Sequence, residues 1–152
     1  MPQMDVIASF RFTVEIDGQR IGAFTECDLP SFEIETEQVK DGGNNNYIHN
    51  IPGRGKPSNL TLKHGLVLND KLLAWAYGSM MNALPATEMY RSVGVVVCNV
   101  NGKPIYRFDL ERAFPIKWSG PSLRAGENAV AIETLELAHH GVSFAYMPDG
   151  AT

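Results

Sequence analysis

The chain has 152 residues, a length that fits one domain built around a single hydrophobic core. Hydrophobic residues make up 44% of it and charged residues 20%, which excludes a disordered, collagen-like or coiled-coil protein. Thirteen basic against 17 acidic side chains give a net charge of −4, so the composition offers no basic patch for a nucleic-acid backbone.

Targeting and redox signals are sparse. No apolar run approaches the roughly 18 residues of a membrane span, and the first five residues lack a basic stretch leading into an apolar core. Cys27 and Cys98 are too few for a disulfide scaffold. We therefore expect synthesis in the cytosol, no direct membrane insertion, and two reduced, buried thiols.

Alternation of apolar and polar residues with period two dominates the chain. Residues 9–16 place four apolar side chains on one face, which predicts a half-buried strand: Phe10, Phe12, Val14 and Ile16. Asp17-Gly18 then predicts a tight turn, and residues 20–25 can return as the second arm of a hairpin.

A second alternation covers residues 31–39. Phe32 and Ile34 face one way, and we expect them to pack inside the protomer. Glu33, Glu35 and Glu37 face the other way. Three interpretations of these carboxylates stay open: a solvated face, an acidic stripe that lines a channel, and a metal site, of which the last is the least favoured.

Residues 40–58 interrupt this compact pattern with four Gly, four Asn and two Pro in 19 residues. A loop of that length is usually functional or becomes ordered against a partner. Its apolar residues would serve no purpose in a solvated linker. We therefore expect an extended inter-subunit loop carried by Gly42, Gly43, Asn44, Tyr47, Ile48, Ile51, Pro52 and Gly53.

Residues 59–66 predict a third strand, with leucines opposite Thr61 and Lys63. A helix follows, because its apolar residues recur at helical spacing (Leu72, Trp75, Ala76 and Met80). Asn69 is the expected N-cap of that helix, with Asp70 in its first turn.

The C-terminal half predicts a strand over residues 93–100, a turn at Asn101-Gly102, and a return strand over residues 105–110. Pro115 argues against a central strand, so residues 113–118 are expected to form a rigid connector. The last strand spans about residues 128–139, where a change in the phase of alternation predicts a bulge or burial on both faces. The total is about seven strands and one helix.

Catalytic constellations are not found. Gly42-Gly43 lacks the spacing of a phosphate-binding loop, and the serines near residue 120 do not form a nucleophile elbow. His139 and His140 are adjacent on a predicted strand, so they point to opposite faces and cannot easily share a metal. We assign no catalytic residue, cofactor or metal. An enzyme site formed across a subunit interface is the remaining enzymatic alternative.

Six motifs follow one another over roughly residues 8–145: residues 22–27, 52–53, 59–66, 75, 113–121 and 130–141. In this order and spacing the chain resembles the inner-tube (tail tube) proteins of contractile phage tails and related contractile injection systems. Family members often have Arg where His64 stands and Glu where His140 stands. If those two positions pair, the link between them is replaced here.

The resemblance implies a mainly β fold: one domain over residues 1–152, a β-sandwich or split-barrel protomer with one flanking helix. It also implies hexameric rings that share a barrel and stack into a tube. The implied partners are further copies of the chain, a sheath, baseplate or spike and terminator proteins, and DNA or protein cargo. The implied location is the bacterial cytoplasm, where the chain is made, followed by assembly into a phage tail or an injection particle. Alternatives are a type VI secretion tube protein and a monomeric ligand-binding barrel.

Elementary geometry supports a ring independently, because a small all-β domain must pair or cover its open sheet edges. Six protomers with four strands each would form a barrel of about 24 strands, with a channel of roughly 35–40 Å after inward side chains are subtracted. We expect Glu33, Glu35 and Glu37 to face that channel, with Lys63 lying across from one of them and partly offsetting their charge.

Overall fold

A computed structural model describes residues 11–22, 24–40, 48–66, 70–126 and 130–147. The mainly β fold is confirmed, with more strands than expected and a second, short helix. No helix in these ranges is long and apolar enough to cross a membrane. The elements are β1 (Arg11–Ile16), β2 (Gln19–Ile21), β3 (Phe24–Asp28), β4 (Phe32–Lys40), β5 (Ile48–Pro57), β6 (Leu60–Gly65), α1 (Lys71–Met80), α2 (Ala86–Met89), β7 (Arg91–Cys98), β8 (Pro104–Ser119), β9 (Ile132–Ala138) and β10 (Gly141–Tyr146).

The long strand β8 belongs to two antiparallel sheets. The first sheet has the order β2-β1-β7-β8-β10, and the second has the order β8-β9-β6-β3. β8 pairs with β10 up to Glu111 and with β7 up to Ala113; from Phe114 onward it pairs with β9. Arg112, at the register shift of β8 against β7 just before this change of partner, has a φ of 49°. Such a left-handed residue turns the strand from one sheet into the other.

The prediction of a connector over residues 113–118 is wrong, because these residues form the second half of β8. Pro115 lies opposite Leu137, and the register shifts between Pro115 and Lys117. A bulge tolerates a proline because one residue of the strand is left out of the ladder.

The predicted phase change in the last strand is also wrong. Strand β9 begins at Ile132, and Val130 lies before it with 78% of its surface exposed. Within β9, Glu133 shares the buried face of Leu135 and Leu137. The alternation is therefore continuous, with a carboxylate in a position where a leucine would be expected.

The core lies between the two sheets and α1. Each alternating strand contributes one face to it, as period-two patterning requires. Its strand residues include Val14, Ile16, Leu60, Leu62, Val93, Val95, Leu110, Leu135 and Leu137. The Asp17-Gly18 turn is confirmed, with φ values of 52° and 80°. Both cysteines are free; Cys98 is buried and Cys27 is half-buried.

Helix α1 begins at Lys71 and is capped by Asp70, whose Oδ1 accepts the backbone N–H groups of Leu72 and Leu73. Asn69, the predicted cap, lies outside the described residues. Along the predicted stripe, Leu72, Trp75 and Ala76 are buried, whereas Met80 is 40% exposed.

The predicted loop over residues 40–58 is largely strand. Residues 48–57 form β5, which pairs antiparallel with β4 as a two-stranded sheet. Residues 41–47 lie outside the described part of the chain. The composition of this segment was typical of a loop, but the register pairs Lys40 with Ile48 and Phe32 with Pro57.

Candidate functional site

The β4–β5 hairpin exposes apolar side chains. Phe32 and Ile34 are 59% and 63% exposed, so the prediction that they pack inside the protomer is wrong. The reason is that β4 pairs with β5, away from the two sheets that enclose the core. Val39 and Ile51 on the same hairpin are also exposed. A lone two-stranded hairpin is at best marginally stable in water, so this one needs a further surface to pack against.

The three glutamates of β4 are exposed as well. Glu33 lies opposite Lys56 in the register of the hairpin. Within the subunit, Lys63 belongs to β6, and its Nζ lies 3.1 Å from Oε2 of Glu26. That Lys63 lies across the expected channel from one of the β4 glutamates stays a prediction.

The residues predicted for a docking loop divide into two groups. Gly42, Gly43, Asn44 and Tyr47 lie outside the described residues. Ile48 begins β5, and Ile51 and Pro52 are exposed along that strand. Gly53 lies at a register shift of the hairpin, where a Cβ atom would lie 2.8 Å from the backbone oxygen of Glu35. Glycine is needed there because the two backbones approach each other closely.

A second apolar surface, not predicted from the sequence, lies on β8 and β10. The rings of Tyr106 and Tyr146 are 5.4 Å apart, and those of Phe108 and Phe144 are 6.1 Å apart. Phe144 is 63% and Tyr146 59% exposed. The alternation of these four aromatics in β8 and β10 was the available signal. We call the four residues the aromatic face.

The opposite side of the first sheet carries a charged cluster. Arg107 Nη2 lies 2.9 Å from Oε2 of Glu15, and its Nε lies 3.0 Å from Oδ1 of Asp109. Partial burial opposes the charged form of Arg107, yet the hydrogen bond to Glu15 and the charges of Asp109 and Glu15 raise its pKa above the ordinary value. Gly94 leaves room for this guanidinium, since a Cβ there would lie 2.9 Å from Nη2.

Two neighbouring strands of the second sheet bury charged residues at the ends of their leucine rows. His64 on β6 and Glu133 on β9 face each other directly in the register. They are 4% and 1% exposed, and Nδ1 of His64 lies 2.9 Å from Oε1 of Glu133. His140 is exposed and packs its ring near Tyr90, so His64 pairs with Glu133 and not with His140.

Three further groups surround this pair, and we call His64, Glu133, Asp70, Trp118 and the carbonyl group of Gly22 the buried cluster. Nε2 of His64 lies 2.8 Å from the carbonyl oxygen of Gly22, and the indole N–H of Trp118 donates to Oε2 of Glu133 at 2.6 Å. Oδ2 of Asp70 is buried 4.0 Å from Nδ1 of His64. Burial raises the pKa of Glu133, and Asp70 adds to the rise; the hydrogen bonds from Trp118 and His64 act against it.

The buried cluster could be considered for a metal, because His64, Asp70 and Glu133 each offer one ligand atom and these atoms lie within 4.8 Å of one another. Both ring nitrogens of His64 already lie at hydrogen-bond distance from oxygen atoms. The geometry therefore fits protons between these groups, and we assign no metal to them.

A groove of about 280 Å³ lies between the sheets, lined in part by Phe12, Cys27, Val95 and Val97. Burial, with a smaller contribution from the Asp28 carboxylate, raises the pKa of Cys27 to about 12. The raised value means that this thiol contributes stability below about pH 9, and that the contribution is lost as the pH rises towards 12.

Cys27 should consequently react slowly with alkylating reagents, because the thiolate is the nucleophile. In a Cys98→Ser background at pH 8, we expect iodoacetamide to modify folded protein at least about a hundredfold more slowly than urea-unfolded protein. Mass spectrometry against time gives both rates. Equal rates would show that the thiol is neither shielded nor raised in pKa.

Comparison with known proteins gives one family and one fold. The model of the family described as T4-like virus tail tube protein gp19 matches residues 8–143. Among curated proteins, no sequence matches the chain significantly.

Solved structures share the fold at low identity. A chain of the anti-feeding prophage baseplate is 21% identical, with a TM-score of 0.78 over 96% of this chain and 98% of that one. A chain of the extracellular contractile injection system PVC sheath–tube complex is 21% identical, with a TM-score of 0.76 over 93% of each chain. Hcp1 from Salmonella typhimurium is 15% identical, with a TM-score of 0.59 over 93% and 89%.

Proposed function

The chain belongs to the T4-like virus tail tube protein family and is a structural subunit of a tail tube, and on that premise we propose that six copies form a ring and that stacked rings enclose a conduit for DNA or protein. The observation that carries the proposal is the β4–β5 hairpin, whose apolar residues are left exposed by the described part of the subunit. A further copy of the chain is the partner that a ring or stack supplies.

The sheet edges support the same assembly. Within the described residues, β2 and β3 end the path of paired strands and do not pair with each other. The subunit is therefore not a closed barrel over this part of the chain, which argues against a monomeric ligand-binding barrel. Open edges and the aromatic face are surfaces that a neighbouring copy would cover.

Further partners follow by analogy with the relatives of known structure. These come from assemblies described as a baseplate, a tube-terminating cap and a sheath–tube complex. We propose that this tube likewise ends on baseplate or spike and terminator proteins, lies inside a sheath, and belongs to a phage tail or an injection particle. Its work is structural: it provides a rigid conduit.

Assembly can be tested with the purified full chain by size-exclusion chromatography and negative-stain electron microscopy. Rings or tubes with sixfold symmetry are the expected result. A monomer at every concentration, with no rings on the grid, would contradict the proposed function.

We also propose that Glu33, Glu35 and Glu37 line the conduit while Phe32 and Ile34, on the other face of β4, pack on a neighbour. An acidic wall would not attract DNA or an acidic protein, so cargo would pass without sticking. The test is maleimide labelling of the variant Glu35→Cys in a Cys27→Ser, Cys98→Ser background.

A maleimide reagent too large for the conduit should label free subunits but not long tubes, and shearing the tubes into short pieces should increase labelling. Labelling that is equal in subunits and long tubes would place Glu35 on the outer surface.

A further inference from the structure

The hydrogen-bond contacts of the buried cluster determine how many protons His64 and Glu133 hold together. The carbonyl oxygen of Gly22 only accepts, so Nε2 of His64, 2.8 Å away, must carry a hydrogen. The 2.9 Å contact between Nδ1 of His64 and Oε1 of Glu133 also needs a hydrogen, on one atom or the other. The pair therefore holds one proton more than a neutral imidazole beside an ionised carboxylate.

We propose that His64 and Glu133 share a titratable proton, and that the hydrogen bond it makes between β6 and β9 stabilises the second sheet. The folded subunit therefore becomes less stable as the pH rises above neutrality. The inference concerns the fold of the single subunit and does not depend on what the subunit assembles into.

The shared proton joins parts of the chain that are distant in sequence. His64 lies on β6, Glu133 on β9, and Gly22 between β2 and β3. When the proton leaves, the lone pair of Nδ1 and the carboxylate oxygen face each other in a buried site. A buried acceptor that loses its donor destabilises the fold, because water cannot replace the lost hydrogen bond.

Among the residues that the structure describes, no fixed positive charge faces the pair to take over the role of the proton. Asp70 is the other charged group in the cluster, and its carboxylate also favours the protonated form of the pair. From β3 and β8, the aromatic side chains Phe24 and Trp118 face the pair. The remaining charged side chains of β3, β6, α1, β9 and the second half of β8 lie elsewhere. Glu26 pairs with Lys63, and Glu136 accepts from Asn59. Asp28, Lys71 and Lys117 are exposed.

The direction of the pH effect follows from linkage. The pKa of Glu133 is raised in the folded state by burial, so its contribution is present at low pH and is lost as the pH rises. The proton shared with His64 acts in the same direction. A histidine in an unfolded chain loses its proton near pH 6.5, so above that pH the folded state binds one proton more than the unfolded state. The folding equilibrium constant then falls by up to about tenfold per pH unit.

The test is urea unfolding of the full chain, followed by tryptophan fluorescence, between pH 7 and 8.5. The wild-type folding constant should fall over this range, by up to about thirtyfold, which is the limit set by one proton. In His64→Gln the fall should be less than about threefold. His64→Arg, whose cation does not titrate here, should be equally flat. His140→Gln, which alters an exposed histidine, should keep the wild-type slope.

A second measurement does not depend on the variants folding. Nitrogen-15 NMR of the wild-type protein at pH 7 should find hydrogen on both ring nitrogens of His64, or a carboxylic acid at Glu133 by carbon-13 shift. An unprotonated Nδ1 beside an ionised Glu133 would overturn the proposal, as would equal pH slopes for wild type and His64→Gln. Stabilisation by Zn²⁺ in wild type but not in His64→Gln would also overturn it, by showing that the cluster binds a metal.

Discussion

Replacing Trp75 by alanine is expected to lower the free energy of unfolding by about 3–5 kcal/mol, the usual cost of removing a large buried aromatic side chain. Trp75 is 2% exposed, packs in the core from α1, and donates its indole N–H to the carbonyl oxygen of Met89 at 2.9 Å. The substitution therefore leaves a cavity and an acceptor without its donor. Urea denaturation of the purified subunit measures the loss.

Two controls separate these effects. Tyr77→Ala alters an exposed residue of the same helix, 63% exposed, and should change stability by less than about 0.5 kcal/mol. Trp75→Phe keeps most of the ring but cannot donate to Met89, so its cost should lie between those of the two alanine variants. A loss below about 1 kcal/mol in Trp75→Ala would show that the helix does not depend on this packing.

The double substitution Phe32→Ser, Ile34→Ser is expected to leave the subunit folded and to weaken its assembly. Both side chains are mostly exposed in the subunit, so their removal creates no cavity in its core. If a neighbouring copy covers them, their loss costs about 2–4 kcal/mol per contact, because that much apolar surface stays in water. The concentration needed for assembly should then rise at least about thirtyfold.

Sedimentation and electron microscopy over a range of concentrations measure that threshold. The control is Thr36→Ser, a small change at an exposed position of the same strand, which should assemble like the wild type. An unchanged threshold in the double variant would show that the apolar face of the hairpin is not an assembly contact.

The strands with one apolar and one polar face were predictable from sequence, because period-two patterning alone decides which face is buried. This holds for β1 and β6 and for the leucines of β9. Strand β4 shows the limit of that argument. The pattern of Phe32 and Ile34 against glutamates predicts a strand correctly, but it does not say whether the apolar face meets its own core or another molecule.

The buried cluster was missed for a related reason. His64 and Glu133 occupy inward positions in rows of leucines, and neither residue alone indicates a buried pair. Only the register, which sets the two strands side by side, brings them together. The available signal was that a basic residue, His64, and an acidic residue, Glu133, each stand at an inward position of a strand, which favours a register that places them opposite each other. Pro115 was misjudged because a bulge tolerates what a regular ladder does not.

Strand β8 has a mechanical consequence. Its 16 residues, roughly 50 Å of extended backbone, run unbroken from one sheet into the other. A load applied to either sheet is thus transmitted along covalent bonds, and not only through side-chain packing between layers. Sliding the sheets past each other would strain many ladder hydrogen bonds at once. The compliant point under such a load is Arg112, where the strand bends and the guanidinium lies 4.6 Å from the centre of the Tyr90 ring.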